Sequence, residues 1–99
     1  MLTESDRGRM INVSAAESIT VRLVENPTTG FTWTVEAAGG LEPAGDEHEA
    51  NEAPGASGVR VLRFRPRGPG TYTLRLKHWR PWEGEPSVTD RFEVGVIAT

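Results

Sequence analysis

The segment Tyr72-Thr73-Leu74-Arg75-Leu76-Lys77 alternates apolar and polar side chains residue by residue. Successive side chains of a β-strand point to opposite faces of a sheet, so this pattern predicts a strand with one buried and one solvated face. Outward from this segment, the same period of two recurs at 19–23, 31–36 and 91–96. No segment carries the 3.6-residue period of an amphipathic helix, so the sequence predicts an all-β fold.

Turn residues divide the chain into short strands, because 11 Gly and 7 Pro are spread over 99 residues. This arrangement predicts an antiparallel β-sandwich of about seven strands. The predicted strands lie at 10–14, 18–25, 31–36, 47–52, 58–65, 71–79 and 88–97. The fourth is expected to be a short edge strand within an acidic segment. In the fifth, the alternation slips between Val61 and Leu62, which indicates either a β-bulge or burial on both faces.

The alternation also predicts which side chains form the core. The expected inward-facing residues are Val21, Leu23, Trp33, Val35, Leu62, Phe64, Tyr72, Leu74, Leu76, Phe92, Val94 and Val96. A chain of this length forms one domain, 1–99, with residues 1–9 expected to be loosely ordered.

Composition excludes several classes of function. The net charge of −3 does not favour nucleic acid or an anionic membrane as a partner, and no apolar stretch is long enough to span a bilayer. The chain has no cysteine, which excludes a thiol nucleophile and Cys-based metal sites. The segment Asp46-Glu47-His48-Glu49 superficially resembles a metal site, but on a strand its side chains alternate faces. We therefore expect no metal, no cofactor and no enzymatic activity.

Three loops are expected at one end of the sandwich, since alternating strand directions bring together the loops after the second, fourth and sixth strands. In the first, Asn26-Pro27-Thr28-Thr29-Gly30-Phe31, a proline and two β-branched threonines stiffen the backbone. Gly30 is expected to adopt a positive φ. Taken alone, this loop is equally consistent with an ordinary tight turn.

The other two loops differ in character. Residues 53–58 include Gly55, Ala56, Ser57 and Gly58, whose small side chains allow another backbone to approach closely, although an ordinary hairpin connection has the same composition. The third loop, 79–86, contains Arg80-Pro81-Trp82. Tryptophan and arginine often contribute most of the binding energy at interfaces, so Trp82 is expected to be exposed for binding. The alternative is an indole that folds back over the edge of the sandwich.

These three loops, in this order, resemble those of the chagasin family of cysteine protease inhibitors. The sequence departs from the usual family pattern at Ser57, where glycine is frequent, and at His78, where an aromatic residue is frequent. The resemblance implies an immunoglobulin-like β-sandwich that inhibits papain-like cysteine proteases by inserting the three loops into the active-site cleft. The implied protease-binding residues are Asn26, Pro27, Thr28, Thr29, Gly30, Phe31, Gly55, Ala56, Ser57, Gly58, Arg80, Pro81 and Trp82.

The inhibition is expected to be tight, reversible and noncovalent, with a monomer binding one enzyme, because a chain without cysteine cannot form a mixed disulfide. The alternative function is an immunoglobulin-like module that binds another ligand, such as a carbohydrate stacked on Trp82. The polar start, Met1–Asp6, does not resemble a signal peptide, so a cytoplasmic protein and a mature secreted or periplasmic form both remain open.

Overall fold

The protein folds into two β-sheets packed face to face, as seen in a computed structural model that describes residues 1–49 and 58–99. Within these residues the strands are β1 (Met10–Val13), β2 (Ile19–Glu25), β3 (Thr32–Ala37), β4 (Glu42–Glu49), β5 (Gly58–Arg65), β6 (Gly70–Trp79) and β7 (Asp90–Ala98). One sheet has the order β1-β7-β6-β3 and the other β2-β5-β4. The prediction of an all-β sandwich of about seven strands is confirmed.

Neighbouring strands are antiparallel except β1 and β7, which pair in parallel. Strand direction therefore alternates along the chain, as predicted, but the chain crosses between the sheets four times rather than forming a simple meander. The structure contains only short 3-10 turns in addition to strands over the described residues. No helix in that part of the chain is long and apolar enough to cross a bilayer.

The predicted core is largely confirmed. Ten of the twelve expected inward-facing residues are buried; they are Val21, Leu23, Trp33, Leu62, Phe64, Leu74, Leu76, Phe92, Val94 and Val96. Tyr72 is half-buried, because it packs against the core while its hydroxyl donates to the Gly68 carbonyl at 2.7 Å. The prediction for Val35 was wrong, since 38% of this residue is exposed. β3 is an edge strand whose register shifts between Val35 and Ala37, which leaves Val35 at the rim.

The fourth strand was predicted at 47–52 but runs over Glu42–Glu49. It is an edge strand, as expected, and pairs along most of β5. The sequence pattern missed its first half because the register of β4 shifts between Pro43 and Gly45, which breaks the alternation.

The slip in the fifth strand reflects burial on both faces, because β5 pairs with β2 without any register shift. Leu62 faces the core, whereas Val61 is buried on the opposite face. On that face Arg22 of β2 and Glu49 of β4 form an ion pair across the central strand, with a nitrogen–oxygen distance of 2.5 Å. The flanking charged side chains thus cover Val61, which is fully buried without belonging to the core cluster.

The N-terminus differs from the expected loose segment. Leu2 is 6% exposed and belongs to the core. Its amide donates to the Thr20 carbonyl at 2.7 Å, and its carbonyl accepts from Arg22 at 2.8 Å. A 3-10 turn follows at Glu4–Asp6. These contacts join residues about twenty positions apart, so local sequence patterns do not indicate them.

Candidate functional site

The first and third loops lie side by side at one end of the sandwich. The Arg80 Nε atom donates to the Thr29 carbonyl at 3.1 Å, which joins residues 51 positions apart. β3, which follows the first loop, also pairs with β6, which precedes the third loop, so that Thr32 lies opposite Trp79. The structure therefore places these two sequence-predicted loops next to each other.

The first loop is held by bonds within itself. The Asn26 Oδ1 atom accepts from the Thr28 amide at 3.1 Å and from the Thr28 hydroxyl at 2.7 Å. The Asn26 carbonyl accepts from the Thr29 hydroxyl at 2.8 Å, and a 3-10 turn spans Pro27–Thr29. Asparagine side chains commonly support turns in this way. Thr28 and Thr29 are both exposed, so the loop presents polar side chains to solvent on a backbone that these bonds stiffen.

Gly30 ends this loop with a φ of +80°, which confirms the predicted positive φ. The indole of Trp82 lies directly over it. A Cβ built at Gly30 would be 2.5 Å from the Trp82 Cη2 atom, far below a normal contact distance. Position 30 therefore requires glycine for two independent reasons, its backbone angle and the space that Trp82 occupies.

The third loop projects Trp82 into solvent, with 71% of the residue exposed. Pro81–Glu83 forms one 3-10 turn, and the Ser87 hydroxyl accepts from the Arg80 amide at 3.0 Å. Ser87 was not among the residues predicted from the sequence, although a serine that follows Pro81 and Pro86 is consistent with closing a loop. Trp82 is thus exposed, as predicted, on a loop whose backbone is fixed from behind.

An aromatic stack supports both loops from beneath. The His78 ring lies 5.4 Å from that of Phe31 and 5.0 Å from that of the buried Trp33. The Arg80 guanidinium covers the Phe31 ring at 4.5 Å. Burial lowers the pKa of His78 below its ordinary value, while the carboxylates of Glu25 and Asp90 act in the opposite direction. The lowered pKa favours the neutral His78 imidazole, which packs in this stack without carrying a partly buried charge.

The other two tryptophans occupy different environments. Trp33 is a core residue, as predicted, and its indole nitrogen donates to the Val24 carbonyl at 3.0 Å. Trp79 lies along the outer face of the sheet, with the Lys77 ammonium 3.6 Å above its ring. Of the three tryptophans in the chain, only Trp82 is left mainly to solvent.

The second loop is described only at its base. Gly55, Ala56 and Ser57, which were predicted to bind the protease, lie outside the described residues. Glu49 ends β4 and Gly58 begins β5, and Gly58 is buried. A Cβ at Gly58 would be 2.5 Å from the His48 Cε1 atom. Glycine thus permits the two strands and the imidazole to close together beneath this loop.

Glu25 is a buried charge that the sequence analysis did not identify. It is 2% exposed, and its Oε1 atom accepts from the Thr32 hydroxyl at 2.8 Å and from the Trp33 amide at 2.7 Å. Its Oε2 atom accepts from Arg60 at 3.1 Å. The alternation along β2 could have indicated its burial, because Glu25 lies two residues after Leu23 and four after Val21, which both face inward.

The acidic residues near His48 bind arginines. Asp46 pairs with Arg60, Glu47 with Arg63 and Glu49 with Arg22. The pairing of β4 with β5 places Asp46 and His48 on one face of the sheet and Glu47 and Glu49 on the opposite face. No group of three or more potential metal ligands occurs within residues 1–49 and 58–99.

The sequence model of the Chagasin family peptidase inhibitor I42 matches residues 12–96. The chain belongs to the chagasin family. This membership confirms the prediction of a peptidase inhibitor rather than an enzyme, and it gives no support to the carbohydrate-binding alternative.

Individual relatives agree with this assignment. The chain is 30% identical to Chagasin of Trypanosoma cruzi, covering 94% of this chain and 92% of that protein. The crystal structure of EhICP2, a cysteine protease inhibitor from Entamoeba histolytica, superposes with a TM-score of 0.90 at 26% identity, covering 99% of this chain and 93% of that one. PbICP-C, solved in complex with falcipain-2, shares the fold at 14% identity, with a TM-score of 0.68 and coverage of 94% and 91%.

Proposed function

We propose that this chagasin-family chain inhibits papain-like cysteine proteases by filling their active-site cleft with the three loops at 26–31, 53–58 and 79–86. The observation that carries this proposal is the pairing of an exposed indole with a rigid backbone. Trp82 is 71% exposed, yet it rests on Gly30 of the neighbouring loop. A large apolar side chain presented in this way is a typical binding hot spot.

Rigidity explains how such a surface can bind tightly. Binding costs less entropy when loops already hold their bound conformation, and the internal bonds of Asn26 and the bond from Arg80 to Thr29 fix both described loops. Complexes of proteases with protein inhibitors bury about 1,600 Å² and are among the tightest known. We therefore expect a Kd in the nanomolar range or below.

The inhibition is noncovalent and reversible. Without a cysteine in its 99 residues the chain cannot form a disulfide with the catalytic thiol. The Thr28 loop enters the centre of the cleft, where its turn conformation differs from the extended backbone that a protease cleaves. The Trp82 loop packs on one side, and the loop containing Gly55, Ala56, Ser57 and Gly58 lies on the other.

Titration of papain with a fluorogenic peptide substrate tests this proposal. We expect near-stoichiometric loss of activity, and no effect on trypsin, because the central loop carries no Lys or Arg for a trypsin-type specificity pocket. Papain whose catalytic cysteine is replaced by alanine should still bind in calorimetry, and the recovered inhibitor should be uncleaved by mass spectrometry. Loss of binding to that variant would contradict the noncovalent mechanism.

A further inference from the structure

We propose that Glu25 is a positioning residue, whose buried carboxylate sets the geometry of the first loop and of the strand β5 that begins at the base of the second. This inference rests on the proposed inhibition of cysteine proteases and explains how the loops are aligned for it. The residue does not reach the exposed surface, since only 2% of it is accessible. Its effect on a bound enzyme would therefore act through the loops it holds.

One carboxylate oxygen ties together both ends of the first loop. Glu25 is the last residue of β2 and immediately precedes the loop, whereas Thr32 and Trp33 begin β3 immediately after it. The Glu25 Oε1 atom accepts from the Thr32 hydroxyl at 2.8 Å and from the Trp33 amide at 2.7 Å. β3 is an edge strand of its sheet, and the bond from its Trp33 amide to the Glu25 carboxylate closes the base of the loop.

The same residue also holds the two strands at the base of the second loop. The Glu25 carbonyl accepts from His48 Nε2 at 3.0 Å, and His48 is the next-to-last residue of β4. The Glu25 Oε2 atom accepts from Arg60 of β5 at 3.1 Å, and Arg60 donates to Asp46 of β4 at 3.0 Å. Glu25 thus contacts β3, β4 and β5 at the end of the sandwich from which both loops emerge.

The energetics favour a role in geometry over one in stability. Burying a charged pair costs desolvation energy, and apolar residues of similar volume often stabilise a fold equally well or better. Val21 and Leu23, which share the inward face of β2, illustrate that apolar alternative. Hydrogen bonds from a carboxylate, however, are directional and fix the atoms they join. An apolar replacement should therefore preserve the fold and lose the alignment of the loops.

The decisive variant replaces the charged pair by apolar side chains, as Glu25→Leu together with Arg60→Met. We expect the variant to remain folded, with its melting temperature lowered only as far as the Trp33 amide loses its acceptor, while the inhibition constant for papain rises by roughly tenfold or more through lost pre-organisation. Glu25→Gln keeps an acceptor for Trp33 and should raise the constant less. Should the double variant not fold, Glu25→Gln and Thr32→Val provide the same comparison, since Thr32→Val removes only the bonds of that hydroxyl to Glu25 and Arg60.

A matched control separates alignment from stability. Ile19→Ala truncates an inward-facing residue at the opposite end of β2, so it should lower the melting temperature without changing the inhibition constant of the folded protein. Unchanged inhibition by Glu25→Gln and by the apolar pair would overturn the positioning role. So would a loss of inhibition in all variants that only follows the loss of stability.

Amide hydrogen exchange provides a readout that needs no protease. Exchange at Thr28, Phe31 and Trp33 should accelerate in the apolar pair, and to a smaller extent in Glu25→Gln, while amides in β6 and β7 keep their protection. If this occurs but wild-type protein does not inhibit papain, the positioning role stands and the proposed function fails. If exchange at the loop is unchanged, the positioning role fails whatever the inhibition shows.

Discussion

The inward faces of β2 and β5 change character from one end of the sandwich to the other. At the end far from the loops, Ile19 lies opposite Phe64, and both are buried apolar residues. At the loop end, Glu25 lies opposite Gly58, with the charged Arg60 two residues further along β5. The far end is an ordinary hydrophobic core, whereas the loop end is built from directional polar contacts and an aromatic stack.

This difference separates two tasks within one small domain. Apolar burial stabilises the fold in proportion to area but is nondirectional, so it does not set the position of a loop accurately. Hydrogen bonds and ion pairs add little net stability but fix the atoms that they join. We therefore expect substitutions at the far end to change stability alone, and substitutions at the loop end to change inhibition more than stability.

The largest expected effect is on stability at the far end. Phe64→Ala leaves a cavity at a residue that is 1% exposed and should lower the free energy of unfolding by about 3–5 kcal/mol. Chemical denaturation measures this loss. The inhibition constant for papain, measured where the variant is still folded, should match the wild type. A clear weakening there would show that the two ends are not independent.

Trp82→Ala should have the opposite profile. Removing an exposed anchor at an interface should cost ~2–4 kcal/mol of binding, or roughly 30- to 1000-fold in the inhibition constant. Stability should change by no more than about 0.5 kcal/mol, because substitutions at exposed turns usually do little. Met10→Ala, at an exposed apolar residue of β1 outside the three loops, is the control and should affect neither quantity. A variant at Trp82 that melts several degrees lower yet inhibits normally would assign the indole to the fold.

Gly30→Val sharpens the comparison within the first loop. The valine would have to adopt a φ of +80° and would collide with Trp82, so both the loop and the indole must move. Holding a non-glycine residue in a sparsely populated region costs about 1–3 kcal/mol, and we expect inhibition to weaken by at least about tenfold. Gly8→Val is a matched control, since Gly8 has a φ of +78° and nothing within 4 Å of its Cβ position. It should show similar backbone strain without loss of inhibition.

The smallest expected effect is the pH dependence contributed by His78. Its pKa is lowered in the folded protein, mainly by burial, so the unfolded chain binds more protons between the two pKa values. Its contribution to stability is complete above the unfolded pKa of about 6.5 and is lost as the pH falls below it. His78→Phe preserves the stack on Phe31 and Trp33 and removes this dependence. The difference in denaturation midpoint between about pH 7.5 and about pH 5.5 should therefore be smaller in the variant than in the wild type. Equal differences in both proteins would exclude His78 as a contributor.

Strand periodicity predicted most of the fold, because successive side chains of a β-strand alternate between the buried and the exposed face. Leu74, Leu76, Phe92, Val94 and Val96 follow that rule and are all buried. The predictions that failed lie where the rule is interrupted. Val35 lies beside a register shift, and β4 begins five residues earlier than predicted because another shift breaks its alternation. The shift beside Val35 has no signature in residue types, whereas Pro43 and Gly45 are types that often accompany bulges but do not show where a strand begins.

The sequence by itself also determined which short segments are chemically unusual, including the positive φ of Gly30 and the exposure of Trp82. Both depend on local properties, namely the absence of a Cβ atom and the position of an indole within a proline turn. Only the tertiary structure decided that Trp82 rests on Gly30, that Arg80 bonds to Thr29, and that Glu25 holds β3, β4 and β5 together. These contacts join residues that are distant in the chain, and a distance between two strands is fixed only when the sheets pack.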